Sequence, residues 1–164
     1  MSRAFFMTLF FALGLLLGTA GIARAQEIRL NGYGLRSGVV LDDDLVQILV
    51  GGQADLGLIA NSIRFQPLVT IGIGDDALSL FAAAEAHYLF PVRAGAAVEP
   101  YAGGGIGVQH IDFDNDGEDT EVALSIVAGA DIPAARYWGY FVEGRFVIAD
   151  ASIFRLEGGL NWRY

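Results

Sequence analysis

From Phe154 to Tyr164 the even positions read Phe, Leu, Gly, Leu, Trp and Tyr, and the odd positions between them read Arg, Glu, Gly, Asn and Arg. A period of two held over eleven residues specifies a β-strand with one apolar and one polar face. The run is longer than a typical globular strand and suits a tilted crossing of a bilayer. Any fold of this chain must therefore offer such a strand grease on one side and polar partners on the other.

The same alternation recurs upstream over 46–56, 64–73, 80–90, 122–132 and 140–149, and more weakly over the glycine-rich 27–37 and 100–111, making eight strands. More than half of the chain is apolar (54%), yet beyond residue 25 no run of 18 apolar residues exists from which to make a membrane-spanning helix. A chain that crosses lipid without helices has to close its strands into a barrel, because only closure satisfies every backbone N–H and C=O. The expected fold is all-β, an eight-stranded antiparallel up-and-down transmembrane β-barrel over residues 26–164. Twenty-two glycines, damaging in helices, suit the turns and crowded walls of such a barrel.

Residues 1–25 read as a segment to be removed. Arg3 gives a positive start, the run from Ala4 to Leu17 is apolar apart from Thr8, and Ala23-Arg24-Ala25 supplies a small-x-small cleavage pattern. The run is nearly long enough to be a retained anchor, but it breaks at Gly18 and leads directly into the cleavage pattern. Beyond it stand all 19 acidic residues against eight arginines and no lysine. That surplus of negative charge excludes nucleic acid as a partner, since little in it would neutralise phosphates. With no cysteine, an exported chain has neither a disulfide framework nor thiolate metal sites.

The connections between strands sort by charge. Alternate ones carry the aspartates at 42–44, those at 75 and 76, the run from Asp112 to Glu121, and Asp150. The others carry Arg64 at one edge, Pro91, Arg93, Pro133 and Arg136, with Glu99 the one acid. Acid thus collects at one rim. Aromatics collect near the other: Tyr88, Phe90, Tyr137, Trp138, Tyr140, Trp162 and Tyr164, the pattern of an interfacial girdle. A soluble lipocalin-like barrel would reverse the faces, with charge outside and grease inside.

On this pattern the chain resembles the small outer-membrane barrels of the OmpA, OmpX and opacity-protein type. The resemblance covers residues 26–164, more in pattern than in identity. Its most specific element is the chain end, where polar-x-Gly-x-x-hydrophobic-x-aromatic is met by Glu157, Gly159, Trp162 and Tyr164, with tyrosine in place of the more usual final phenylalanine. The stretch from Pro100 to Gly107 (PYAGGGIG) is also similar to a segment of these barrels. The resemblance implies insertion by the outer-membrane assembly machinery, with Gly159, Trp162 and Tyr164 as its signal. These aromatics serve a girdle equally well.

Three constellations carry residues suited to chemistry. Asp112, Asp114 and Asp116, followed by Gly117, open like a calcium-binding EF-hand loop, and calcium is the one cofactor the residues suggest. The glutamate that should close the loop is Ala123, and Asp116-Gly117 serves equally as a hairpin turn, so a solvated acidic loop is the stronger reading. His87 beside Glu85, with a serine, would suggest a hydrolase, as in the barrel family of lipid A deacylases. The His-x-Ser motif of that family is absent at both His87 and His110, and His87 is expected to be a hydrogen-bonded core residue.

The third constellation is the expected interior. Inward positions give Arg29, Arg64, Arg145, Arg155 and Arg163 against Asp55, Glu85, Asp131, Glu143 and Glu157. An eight-stranded bore is just filled by its own side chains, so these charges are expected to pair into a plug. Its centre would be Glu85, Glu143, Arg145, Arg155 and Glu157, with Arg145 directly opposite Glu157 in the last hairpin. The sequence thus points to a monomeric, non-enzymatic barrel in the bacterial outer membrane, embedded in its lipid, with a structural or surface-interaction role. A narrow pore or small-molecule channel is the alternative, and a lipid-modifying enzyme the third reading.

Overall fold

The computed structural model describes residues 29–41, 46–74, 77–113, 117–150 and 152–164. Residues 1–25, expected as a signal peptide, lie outside these, as do the aspartates at 42–44, 75–76, 114 and 116. The strands are β1 (Gly32–Leu41), β2 (Ile48–Asp55), β3 (Leu58–Ala60), β4 (Ile63–Ile73), β5 (Ala77–Leu89), β6 (Glu99–Phe113), β7 (Gly117–Ala135), β8 (Trp138–Ile148) and β9 (Ile153–Arg163). No helix occurs among the described residues.

Each strand pairs antiparallel with the next except β2, which pairs with β4, and β9 returns to pair with β1 from Gly32↔Arg163 to Leu41↔Phe154, which closes the wall. Both β2 and β3 pair with β4, so they are two pieces of one wall strand. The break falls at Gly57, whose φ of 87° suits glycine and whose N–H donates to the Asp55 side chain at 2.8 Å. Nine segments therefore build a closed barrel of eight wall strands.

Alternation along the strands sorts side chains with unusual polarity. The largest side chains sealed from the surface are Arg145 and Arg155, each 0% exposed, while Val122 is 69%, Leu35 60% and Ile126 59% exposed. Soluble proteins almost never bury arginine so completely unless it is paired. Here the interior is polar and the outside apolar. At the rim holding both strand termini, Tyr33 stacks on Trp162 with centroids 5.5 Å apart, and Trp138 meets Tyr140 edge-on at 5.2 Å.

Several sequence expectations need correcting. β1 starts at Gly32 rather than near residue 27, so Arg29 precedes the strand and is exposed. Inward positions in β1 are the even ones, and Arg36 points into the lumen. The acidic run is mostly strand, because the β6–β7 ladder continues unbroken to Phe113↔Gly117. In the last hairpin Arg145 faces Arg155 and Glu143 faces Glu157, not Arg145 opposite Glu157. The last pair before the connection is Val147↔Ile153, so the register lies two residues from the one expected, a slide that keeps every side chain on its face.

Candidate functional site

The barrel wall is a lipid-type surface, so the chemistry of the molecule is concentrated in its lumen. The lumen divides into three layers.

Beneath the acidic rim lies an apolar layer of Val40, Leu49, Leu68, Phe81, Ala83, Ala123, Val147 and Ile153, contributed by strands all around the wall. Above it Ser79 donates to the Gln47 side chain (2.7 Å), which in turn donates to the Ala77 carbonyl (3.1 Å).

The middle layer is ionic. Arg145 lies 2.5 Å from Glu143, 2.8 Å from Glu85 and 3.6 Å from Glu157. Arg36 of β1 reaches Glu157 of the adjoining β9 at 3.2 Å and Glu143 of β8 at 2.6 Å. Tyr101 donates its hydroxyl to Glu143 (2.6 Å), and Ser125 donates to Glu85 (2.7 Å). The like-charged pairs facing each other in β8 and β9 are thus compensated diagonally and from across the bore. Arg155, expected at the centre of this network, makes no ion pair among the described residues. It donates to Thr70 and Gln109 at 3.3 Å each and stacks over Phe81, 4.7 Å from the ring centroid.

Toward the aromatic rim, Arg64 pairs with Asp131 at 2.7 Å, and Asp131 also accepts from Asn161 (3.1 Å) and Arg163 (3.1 Å). A vestibule of about 580 Å³ opens there, with Arg64 and Asp131 in its lining. Of the expected inward charges, Arg163 is half-exposed at this rim and pairs with Glu99 as well. Asp55 is half-buried.

Counted over the described residues, the buried charges are Arg36, Arg64, Arg145 and Arg155 against Glu85, Asp131, Glu143 and Glu157. The balance matters because an uncompensated charge in a dry interior costs several kcal/mol. Two features make room for it. On β6, a Cβ at Gly105 would strike the Ala84 carbonyl and the Glu85 side chain, so only glycine leaves Glu85 its place. On β9, Gly159 sits opposite Arg36, and a Cβ there would meet the Leu35 carbonyl and the Phe141 ring over which Arg36 lies at 5.4 Å. Gly159 therefore has a packing reason of its own, apart from any role in the chain-end motif. Trp162 and Tyr164 stand at the aromatic rim, and the Tyr164 N–H donates to the Asn31 carbonyl (2.9 Å).

The lumen does bring Ser125, Glu85 and His87 together. The order is not that of a serine–histidine–acid relay, since both Ser125 and His87 (2.9 Å) bond to Glu85 and the second nitrogen of His87 faces Arg64 rather than the hydroxyl. His87 instead stacks on Tyr101 at 5.0 Å and faces Arg64 at 3.4 Å, locked into the core. Of the calcium trio, Asp112 is exposed on β6, while Asp114 and Asp116 lie outside the described residues. Among the described residues no group of three metal-ligating side chains occurs.

Polar lumen, apolar exterior, aromatic rim and eight-strand closure together define an architecture that known structures share. The crystal structure of Neisserial surface protein A superposes with a TM-score of 0.64 at 14% identity, over 81% of this chain and 95% of that one. The N-terminal β-barrel domain of Pseudomonas aeruginosa OprF gives 0.66 at 13% identity, over 82% and 98%. The fold is that of the small eight-stranded outer-membrane barrels. At such identity the likeness is one of architecture, and the particular residues of the ion network are read from this chain alone. No protein-family model and no curated protein sequence matches the chain.

Proposed function

We propose that the chain is an integral protein of the bacterial outer membrane, exported through cleavage after Ala25 and inserted as a monomer by the outer-membrane assembly machinery. Its role is structural or surface-interactive rather than catalytic or conductive. The observation that carries this reading is the inverted polarity: fully buried arginines inside, exposed Val, Leu and Ile outside. Lipid is the only solvent in which that arrangement is favourable. The lumen supports a closed plug, because the apolar layer around Phe81 and the ionic layer around Arg145 lie in series across the bore.

Cell fractionation tests the location. The protein should remain in the membrane pellet after sodium carbonate extraction and should migrate anomalously on detergent gels unless boiled. Recovery from the soluble periplasm would refute the proposal. The purified protein in planar bilayers should show no steady single-channel steps, and large stable ones would instead establish a pore.

Sidedness has its own test. Barrel strands of even number place both termini on one side, here with the aromatic rim, so the acidic rim faces the exterior. A cysteine replacing Thr120, exposed near that rim, should react with a membrane-impermeant maleimide in intact cells, and one replacing Ala135 should not. Inverse labelling would reverse the orientation.

A further inference from the structure

Charge divides this barrel by rim. The chain as a whole has an excess of acid, yet at the aromatic rim the connection over 90–98 and the turn at 136–137 hold Arg93 and Arg136 and no acidic residue. Both arginines are exposed, and neither forms an ion pair among the described residues. Glu99, the first acid after Arg93, pairs with Arg163 at 3.5 Å, and Asp131, the first before Arg136, pairs with Arg64 at 2.7 Å. At the opposite rim the connections over 42–47, 74–76, 114–116 and 149–152 contain aspartates and no arginine. The 11 residues of β8 span roughly 35 Å, several times the Debye length of about 8 Å at physiological salt. The acid of one rim therefore does little to offset the cations of the other.

What surrounds these cations selects their partner. The Arg136 guanidinium lies 5.4 Å from the centroid of the exposed Tyr137 ring. Trp138 and Tyr140 follow on the outward face that also carries Val142 and Phe146. Tyr137, Trp138 and Tyr140 make no hydrogen bond through a hydroxyl or indole N–H to another described residue, so these donors are left for a ligand or water. Arg93 shares its connection with exposed Phe90 and Val92. Each cation thus borders apolar surface. A soluble polyanion would satisfy the arginines and leave their apolar neighbours uncovered, whereas an amphiphile with a phosphate head covers both. A net negative head is favoured, because a zwitterionic one brings its own ammonium beside the arginines.

We infer that Arg93 and Arg136, with Tyr137, Trp138 and Tyr140, form a binding surface for anionic phospholipids in the leaflet at the aromatic rim. The guanidinium groups donate to the headgroup phosphate, the indole N–H and phenol hydroxyls donate to the ester carbonyls below it, and the acyl chains run along Val142 and Phe146. This deepens the membrane reading above and rests on it. The two tryptophans of the chain, Trp138 and Trp162, face each other across β8 and β9 at this rim, so their fluorescence reports on lipid here and not at the acidic rim. The test reconstitutes the folded full-length protein in phosphatidylcholine vesicles containing a minor fraction of phosphatidylglycerol, with bromine on the acyl chains of one lipid or the other as quencher. Both leaflets have the same composition, so orientation plays no part.

At equal mole fraction, quenching should show phosphatidylglycerol enriched at least about threefold over phosphatidylcholine around the tryptophans, since one arginine near an anionic surface is favoured by a factor of roughly five. Raised salt should weaken the enrichment. The double variant Arg93→Gln/Arg136→Gln should bring it close to one, while Arg93→Lys/Arg136→Lys, which keeps the charge, should retain most of it. Equal quenching by the two lipids would leave the arginines to a soluble polyanion and overturn the inference. So would an enrichment that survives in the glutamine variant. Heat-dependent gel mobility checks insertion in every sample: a wild type that inserts into no vesicle would sink the membrane reading itself, and this surface with it.

Discussion

Replacing Arg145 with alanine should destabilise the folded barrel by about 3–5 kcal/mol, the range for removing one partner from a buried ion network. Arg145 touches three carboxylates, and the loss leaves the described lumen with four buried acids against three arginines. The consequences differ among the acids. Glu143 and Glu157 keep Arg36, at 2.6 and 3.2 Å. Glu85 keeps only Ser125 and His87. The second-site change that restores most stability should therefore be Glu85→Gln, which removes the stranded charge and retains a hydrogen-bonding oxygen for Ser125. Urea unfolding in lipid vesicles measures this directly: a lowered midpoint for Arg145→Ala, partly recovered in the double variant. A midpoint unchanged from wild type would show that the lumen is wet enough to solvate the carboxylates, and would remove the case for a dry plug.

The dependence of Glu85 on Arg145 is not legible in the sequence, although the inward placement of both residues is. Alternation in β9 and β8 identified Glu143, Arg145, Arg155 and Glu157 as inward residues, because a strand in a two-sided wall cannot exchange its faces without exposing arginine to lipid. Which residue faces which was not legible. Sliding the last hairpin by two residues keeps every side chain on its face, so Arg145 opposite Glu157 and Arg145 opposite Arg155 satisfy the same pattern. Only where the turn is centred separates them.

Arg36 was missed for another reason. The neighbouring inward positions of β1 are Gly32, Gly34 and Gly38, so the polar face of that strand carries hardly any polar residues. Arg29, which set the parity, lies outside the strand. The outward run Tyr33, Leu35, Val39 and Leu41 held the correct signal. Likewise the acid of 112–121 looked like loop by composition, although His110, Asp112 and Glu121 continue a ladder fixed by strand pairing rather than by propensity. Arg155 shows the limit of counting charges: parity placed it inside, but its partners are a threonine, a glutamine and a phenylalanine ring, which no balance of signs would select.

Introducing a charge on the outer wall should have an effect comparable to losing Arg145 and of opposite meaning for a soluble protein. Ile126 lies on β7 opposite Gly104 of β6 and Phe146 of β8, where the wall is paired on both sides, and is 59% exposed. In water, Ile126→Arg would replace an exposed apolar side chain with a charged one and improve solubility at little cost in stability. In a bilayer the guanidinium sits in hydrocarbon, where arginine on the lipid face of a barrel costs roughly 2–4 kcal/mol near the midplane and much less near the interfaces. The flanking glycine gives it no polar partner, and its stem is too short to reach either interface without distortion. Ile126→Arg should therefore lower the urea midpoint in lipid vesicles, while Ile126→Leu should leave it nearly unchanged. Tyr140→Arg, at the aromatic rim, should fall between them, because its guanidinium can reach the headgroups. The graded series separates burial in lipid from a local packing defect. Equal stability of the Arg and Leu variants at position 126 would mean that this face never meets hydrocarbon, and the inverted polarity of the wall would need another solvent to explain it.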